Sequence, residues 1–99
     1  MIIVFADLKV APENRDAFVD AAGPLVAGSQ AEAGCISYDL LENPAAPGSF
    51  RMVERWESLD ALGAHREEPH FKAFGAAARE LLAERPQIVR FEASELPPS

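Results

Sequence analysis

Cys35-Ile36-Ser37-Tyr38-Asp39-Leu40-Leu41-Glu42, then Asn43-Pro44-Ala45-Ala46-Pro47-Gly48, then Ser49-Phe50-Arg51-Met52-Val53-Glu54-Arg55-Trp56-Glu57 is the stretch that decides the fold. Strand side chains alternate between two faces. The third run follows that rule cleanly, with Phe50, Met52, Glu54 and Trp56 on one side and Arg51, Val53, Arg55 and Glu57 on the other. The first run places Ile36, Tyr38 and Leu40 together. The connector is rich in turn formers and too long for a tight two-residue hairpin. The middle of the chain is therefore expected to form two paired antiparallel strands.

Working outward, Ile2, Val4, Ala6, Leu8 and Val10 share an apolar face of an N-terminal strand. Its other face begins with Ile3 and Phe5 and turns polar at Asp7 and Lys9, which suits a strand covered on both sides for part of its length. Ala11-Pro12-Glu13-Asn14 ends that strand and starts a helix whose inward stripe is Phe18, Ala21, Ala22, Leu25 and Ser29. Pro24 predicts a bend in one continuous helix, and Gly34 is expected to end it in the left-handed conformation. On the C-terminal side, Ser58 is placed to cap a short helix through Leu59, Leu62 and His65. Pro69 suits the first turn of a second segment striped by Phe71, Phe74, Ala78 and Leu81. Pro86 stops it, and residues 88–93 read as a fourth strand. The tail, residues 94–99, would be ordered only if something held it, such as a partner subunit.

The order is β-α-β-β-α-β over a single domain spanning residues 1–99. That pattern predicts an α+β, ferredoxin-like fold: an antiparallel sheet with its helices on one face. The opposite, partly apolar face would stay open in a monomer, so a homodimer paired through the sheet faces is expected.

Composition removes several classes of function. Nine basic residues against sixteen acidic ones give a net charge of −7, the wrong sign for a nucleic-acid binder. No apolar run approaches the roughly 20 residues needed to span a bilayer, and the N-terminus lacks the features of a signal peptide. A single cysteine, Cys35, allows no internal disulfide, so a reducing, cytoplasmic setting is expected.

Glu32-x-Gly34-Cys35-x-x-Tyr38, Phe50-x-x-x-Glu54-x-Trp56, His65 and Pro69-His70-Phe71-x-x-Phe74 resemble the antibiotic biosynthesis monooxygenase domain. The subgroup most similar is the short, single-domain one that includes quinol monooxygenases. The resemblance implies a dimeric α+β barrel with a cavity between sheet and helices. It also implies oxidation of a small quinol or polycyclic phenol by O₂ without flavin, haem or metal. Relatives of the same fold instead degrade haem, or isomerise or break down small oxygenated metabolites. The haem-degrading branch needs a histidine ten residues beyond His65, where this chain has Gly75. No G-x-G-x-x-G fingerprint is present, so no cofactor is expected beyond O₂ as co-substrate.

His65 is the candidate base, because imidazole can accept a phenolic or enolic proton near neutral pH. The alternative is a helix-end histidine bonded to a backbone carbonyl. Glu54 is the one charged residue on an apolar strand face and needs a partner there. It would orient His65, cap the following helix or pair with Arg90. Tyr38, Phe50, Trp56, Phe71 and Phe74 are the candidate lining for a flat aromatic substrate, though such stripes are often plain core. His70, after a proline at a helix start, reads as structural, and Cys35 as a small buried residue. His65 and His70 are five apart across a proline break, not the i, i+4 spacing of a helical metal pair, so no metal is assigned. A small-ligand-binding or stress-responsive dimer, or an isomerase using the same His65, remain alternative functions.

Overall fold

In the computed structural model, which describes residues 1–99, the chain forms β1 (Ile2–Lys9), a 3-10 turn (Pro12–Asn14), α1 (Arg15–Gln30), β2 (Cys35–Glu42) and β3 (Ser49–Trp56). These are followed by α2 (Leu59–His65), α3 (Pro69–Leu81) and β4 (Gln87–Glu92). The sheet order is β2-β3-β1-β4 with every neighbouring pair antiparallel, the ferredoxin-like arrangement. Ile2, Val4, Ala6 and Leu8 of β1 and Phe50, Met52 and Trp56 of β3 are buried on one sheet face. Phe18, Ala22 and Leu25 of α1 and Leu62 of α2 close the core over them.

Pro24 lies inside α1, which continues through it as one helix. Both Pro24 and Asp20, whose carbonyl loses its N–H partner, are exposed, so water can satisfy that oxygen. Two expectations need correction. Gly34 is not left-handed; the one positive φ belongs to Gly48, at 89° in the β2–β3 connector. Gly34 is small for a different reason: a Cβ there would overlap the Cβ of Ala61 in α2. Ile36 also leaves the inward face. The register shifts between Cys35 and Ser37, and this irregularity turns Ile36 outward to 43% exposure while Tyr38 stays buried.

The second sheet face carries Ile3, Phe5, Val53, Val89 and Phe91, with no helix over it. Phe5 meets Phe91 edge-on at 5.5 Å, and the Arg51 guanidinium sits 4.7 Å above Phe5 while pairing with Asp7 at 2.7 Å. A cleft of about 570 Å³ opens at one end of this face between Asp7, Leu41, Ser49, Arg51 and Gln87. Every residue of the edge strand β4 is exposed, including Ile88 at 60%. No helix of the structure is long and apolar enough to cross a membrane.

Candidate functional site

Three elements converge where α1 ends and α2 meets α3. Ser58 accepts a hydrogen bond from the Ala61 amide at 3.1 Å, which fixes the start of α2 and delivers His65 as its last residue. Pro69 begins α3, so His70 stands in its first turn. The turn after α1 supplies Glu32, and the Cys35 amide donates to the Glu32 carbonyl at 3.0 Å to hold that turn. The absent side chain of Gly34 lets this turn lie against α2, and the Glu57 amide bonds the Gly34 carbonyl at 2.9 Å.

The result is a triangle. His65 Nδ1 and His70 Nε2 each lie 2.7 Å from the same oxygen, Glu32 Oε2. A carboxylate oxygen only accepts, so both ring nitrogens carry their protons toward it. His65 is 1% exposed, packed 4.6 Å from the Trp56 ring, 5.0 Å from Phe71 and 5.4 Å from Tyr38. With its proton on Nδ1, its Nε2 presents a lone pair, and that atom is buried without a hydrogen-bond partner. A second buried orphan is the hydroxyl of Ser29 on α1.

Glu54 does not orient His65. Its Oε1 accepts from Trp56 Nε1 at 2.9 Å, two residues along the same strand face, and Glu32 already occupies His65 Nδ1. It neither caps α2, which Ser58 does, nor bonds Arg90. Burial raises the Glu54 carboxyl above the ordinary carboxylate value, opposed by the Trp56 hydrogen bond and the charge of Arg66. Burial likewise pushes the Tyr38 phenol far up, with the Glu54 charge adding to it. The Cys35 thiol is pushed up to about 11 by burial and then by Glu32, so it is a protonated thiol rather than a nucleophile at neutral pH.

A stability prediction follows from Glu54. A carboxyl whose folded value is raised binds its proton more tightly in the fold, so it favours folding below the unfolded value near 4.5. That advantage is lost as pH rises through the raised value. Glu54→Gln keeps an acceptor for Trp56 and removes the buried charge. It is expected to melt higher than the parent at pH 8, with the gap closing toward pH 4. Thermal melts at several pH values check this, and a gap that is constant with pH would contradict it.

The aromatic set divides. Tyr38, Trp56 and Phe71 surround His65, whereas Phe50 and Phe74 pack on Phe18 at 4.8 and 5.7 Å and belong to the core. His65 and its Nε2 are buried, so the base is shut off from solvent in this conformation. Two members of the triangle stand outside the candidate site residues of the sequence. Glu32 lies off the apolar stripe of α1, and His70 follows a proline at a helix start, a position that suits a structural role. The i, i+4 spacing of paired histidines is a local criterion, and the third group of the triangle comes from 33 residues before His65. The Glu32-x-Gly34 spacing was the available signal: an acid two residues before a glycine that must touch the next helix.

The family model described as antibiotic biosynthesis monooxygenase matches residues 1–77. The chain belongs to the antibiotic biosynthesis monooxygenase family. Within it, the chain is 41% identical over 95 residues to the Bacillus subtilis protein named "Putative monooxygenase YcnE", covering 96% of this chain and 100% of that one. It is 33% identical over 89 residues to the Escherichia coli K12 protein named "Probable quinol monooxygenase YgiN", covering 80% and 86% respectively. Among solved structures, Rv0793 from Mycobacterium tuberculosis is similar with a TM-score of 0.89 at 29% identity, covering 96% of each chain. The monooxygenase family thus accounts for the fold, while the Glu32–His65–His70 triangle is read from the geometry.

Proposed function

We propose that this protein is a cofactor-independent monooxygenase that oxidises a small quinol or polycyclic phenol with O₂, with His65 as its base. The observation that carries this reading is the buried, unpartnered Nε2 of His65, whose lone pair is fixed by the Nδ1–H bond to Glu32. A carboxylate behind an imidazole holds the tautomer and stabilises the imidazolium that forms. The rings of Trp56, Tyr38 and Phe71 around it suit a flat aromatic substrate and exclude water.

In this mechanism the substrate hydroxyl gives its proton to Nε2, and the resulting electron-rich anion passes one electron to O₂. The substrate radical and superoxide combine to form a C–O bond. The imidazolium returns its proton to the peroxide, and loss of water leaves the carbonyl product. Tyr38, kept protonated by burial, is the hydrogen-bond donor to substrate oxygen. The protein supplies base, orientation and dryness, while the substrate supplies the electrons. The family relatives named above support oxygen chemistry; the isomerase reading uses the same base without O₂.

Oxygen uptake across a panel of quinols and phenols, on protein verified free of flavin and metal, is the test. Accelerated uptake with matching substrate loss is expected. Turnover that persists without oxygen would move the assignment to an isomerase. Ligand-induced thermal shifts with no reaction would move it to a binding protein, and rates equal to uncatalysed autoxidation would end the oxygenase reading.

The partner in this proposal is a second copy of the chain, docked through the open sheet face. Ile3, Phe5, Val53, Val89 and Phe91 form an apolar patch there with no cover from the chain itself. Sedimentation is expected to give twice the 10.7 kDa chain mass. A stable monomer at micromolar concentration would refute the dimer. The single free thiol, Cys35, supports a reducing, cytoplasmic compartment.

A further inference from the structure

The Glu32–His65–His70 triangle has a second capacity that proton transfer does not use. The three side chains offer His65 Nδ1, His70 Nε2 and a Glu32 oxygen, all within 4.8 Å of one another. Two imidazoles and one carboxylate are a donor set that divalent transition metals favour. We infer that this triangle is a binding site for a divalent transition-metal ion of the Zn²⁺ type, and that occupancy disables His65 as a base.

Geometry supports the first half. Tetrahedral zinc with bonds near 2.0–2.2 Å holds its ligand atoms roughly 3.3 Å apart. The two nitrogen–oxygen contacts are 2.7 Å and need to open by about half an ångström, while the two ring nitrogens, no more than 4.8 Å apart, need to settle near that same spacing. The rings are already seated. His65 is clamped by Trp56 and Phe71, and His70 lies so close over Gly28 that a Cβ there would come within 2.7 Å of its ring. The Glu32 and His70 side chains are 11% and 19% exposed, which leaves an approach from solvent for the ion and for a water as fourth ligand. The carboxylate brings one negative charge, so a divalent ion is welcomed rather than repelled.

The second half follows from where each proton sits, and rests on the reading of His65 as base. In the metal-free state both imidazoles point N–H at Glu32. A metal needs the lone pairs of those same nitrogens, so each neutral ring must carry its one proton on its other nitrogen. For His65 that nitrogen is Nε2, the proposed proton acceptor. With metal bound, Nε2 is a donor and cannot accept the substrate proton. No proton is gained or lost by the protein; two tautomers change. The metal is thus an inhibitor of the base rather than a cofactor.

Competition for Zn²⁺ against a chromophoric chelator tests binding without reference to activity. One ion per chain is expected, with Glu32→Gln and His70→Ala each weakening it by at least 10-fold, and Co²⁺ giving the visible spectrum of a tetrahedral site. His70→Gln serves if His70→Ala is poorly folded by circular dichroism. Substoichiometric binding, or unchanged affinity in these variants, would overturn the site. Where the parent turns over a substrate, Zn²⁺ at one equivalent is expected to suppress the rate at least 10-fold and chelator to restore it. His70→Ala, compared with its own metal-free rate, should lose that sensitivity. Tight site-specific binding without inhibition would overturn the tautomer argument alone. A parent inactive on every substrate would count against the oxygenase reading and leave the binding result standing.

Discussion

His65→Ala is expected to lower turnover by about 10²–10⁴-fold, the usual contribution of a positioned general base. The loss should fall on the rate constant more than on substrate affinity, because Nε2 acts on the proton while the aromatic rings hold the substrate. Glu32→Gln provides the sharper companion. Its amide can turn an NH₂ toward Nδ1, which favours the opposite tautomer and protonates Nε2. It is expected to lose at least about 10²-fold although His65 is intact. Glu54→Gln, which leaves the dyad untouched, should stay within a few-fold of the parent. Steady-state kinetics on the three variants decides the assignment; full activity in His65→Ala would end it. The histidine is not free to change without structural cost. It is 1% exposed among three aromatic rings, so its removal is expected to destabilise the fold by about 1–3 kcal/mol. His65→Gln, closer in volume, separates that cost from the chemistry.

Trp56→Ala carries the largest expected effect on stability. The side chain is fully buried, meets His65 at 4.6 Å and Tyr38 at 6.2 Å, and gives Glu54 its only side-chain donor. Truncating a buried Trp or Phe costs about 3–5 kcal/mol. For a domain of this size each kcal/mol lowers Tm by roughly 4–8 °C. The variant is therefore expected to melt tens of degrees lower and to unfold at a much lower urea midpoint. A loss below about 1 kcal/mol would mean that the indole lines a cavity instead of filling the core.

The sheet was legible in the sequence because its strands alternate by strict period two and are bounded by Pro and Gly. Ser49–Trp56 and Ile2–Lys9 stand where their pattern places them. The irregularity beside Ile36 was not legible, since an extra residue in a strand changes no residue type. His65 was legible as an inward residue on a short helix. Its partner was not, because the choice between Glu54 and Glu32 depends on how closely the α1–β2 turn approaches α2. Glu54 stands out in a one-dimensional pattern, as a charge in an apolar row. Yet the nearest donor to it is the indole two residues along its own strand face. Glu32 looks like an ordinary solvated acid until tertiary packing brings two histidines to it.

The close fit of Gly34 against Ala61 has a mechanical consequence. Gly34 lies against Ala61 of α2, and its carbonyl accepts from the Glu57 amide between β3 and α2, so the turn bearing Glu32 is held close to the helix bearing His65. The close approach, together with the 2.7 Å bond, keeps the base and its carboxylate in register. The third member, His70, arrives from a separate piece, at the head of α3 beyond the Arg66–Glu68 link, and joins the pair only through its 2.7 Å contact with Glu32. The proposed base and the carboxylate that sets its tautomer are thus fixed by a contact that does not pass through His70, so losing His70 leaves the Glu32–His65 bond in place.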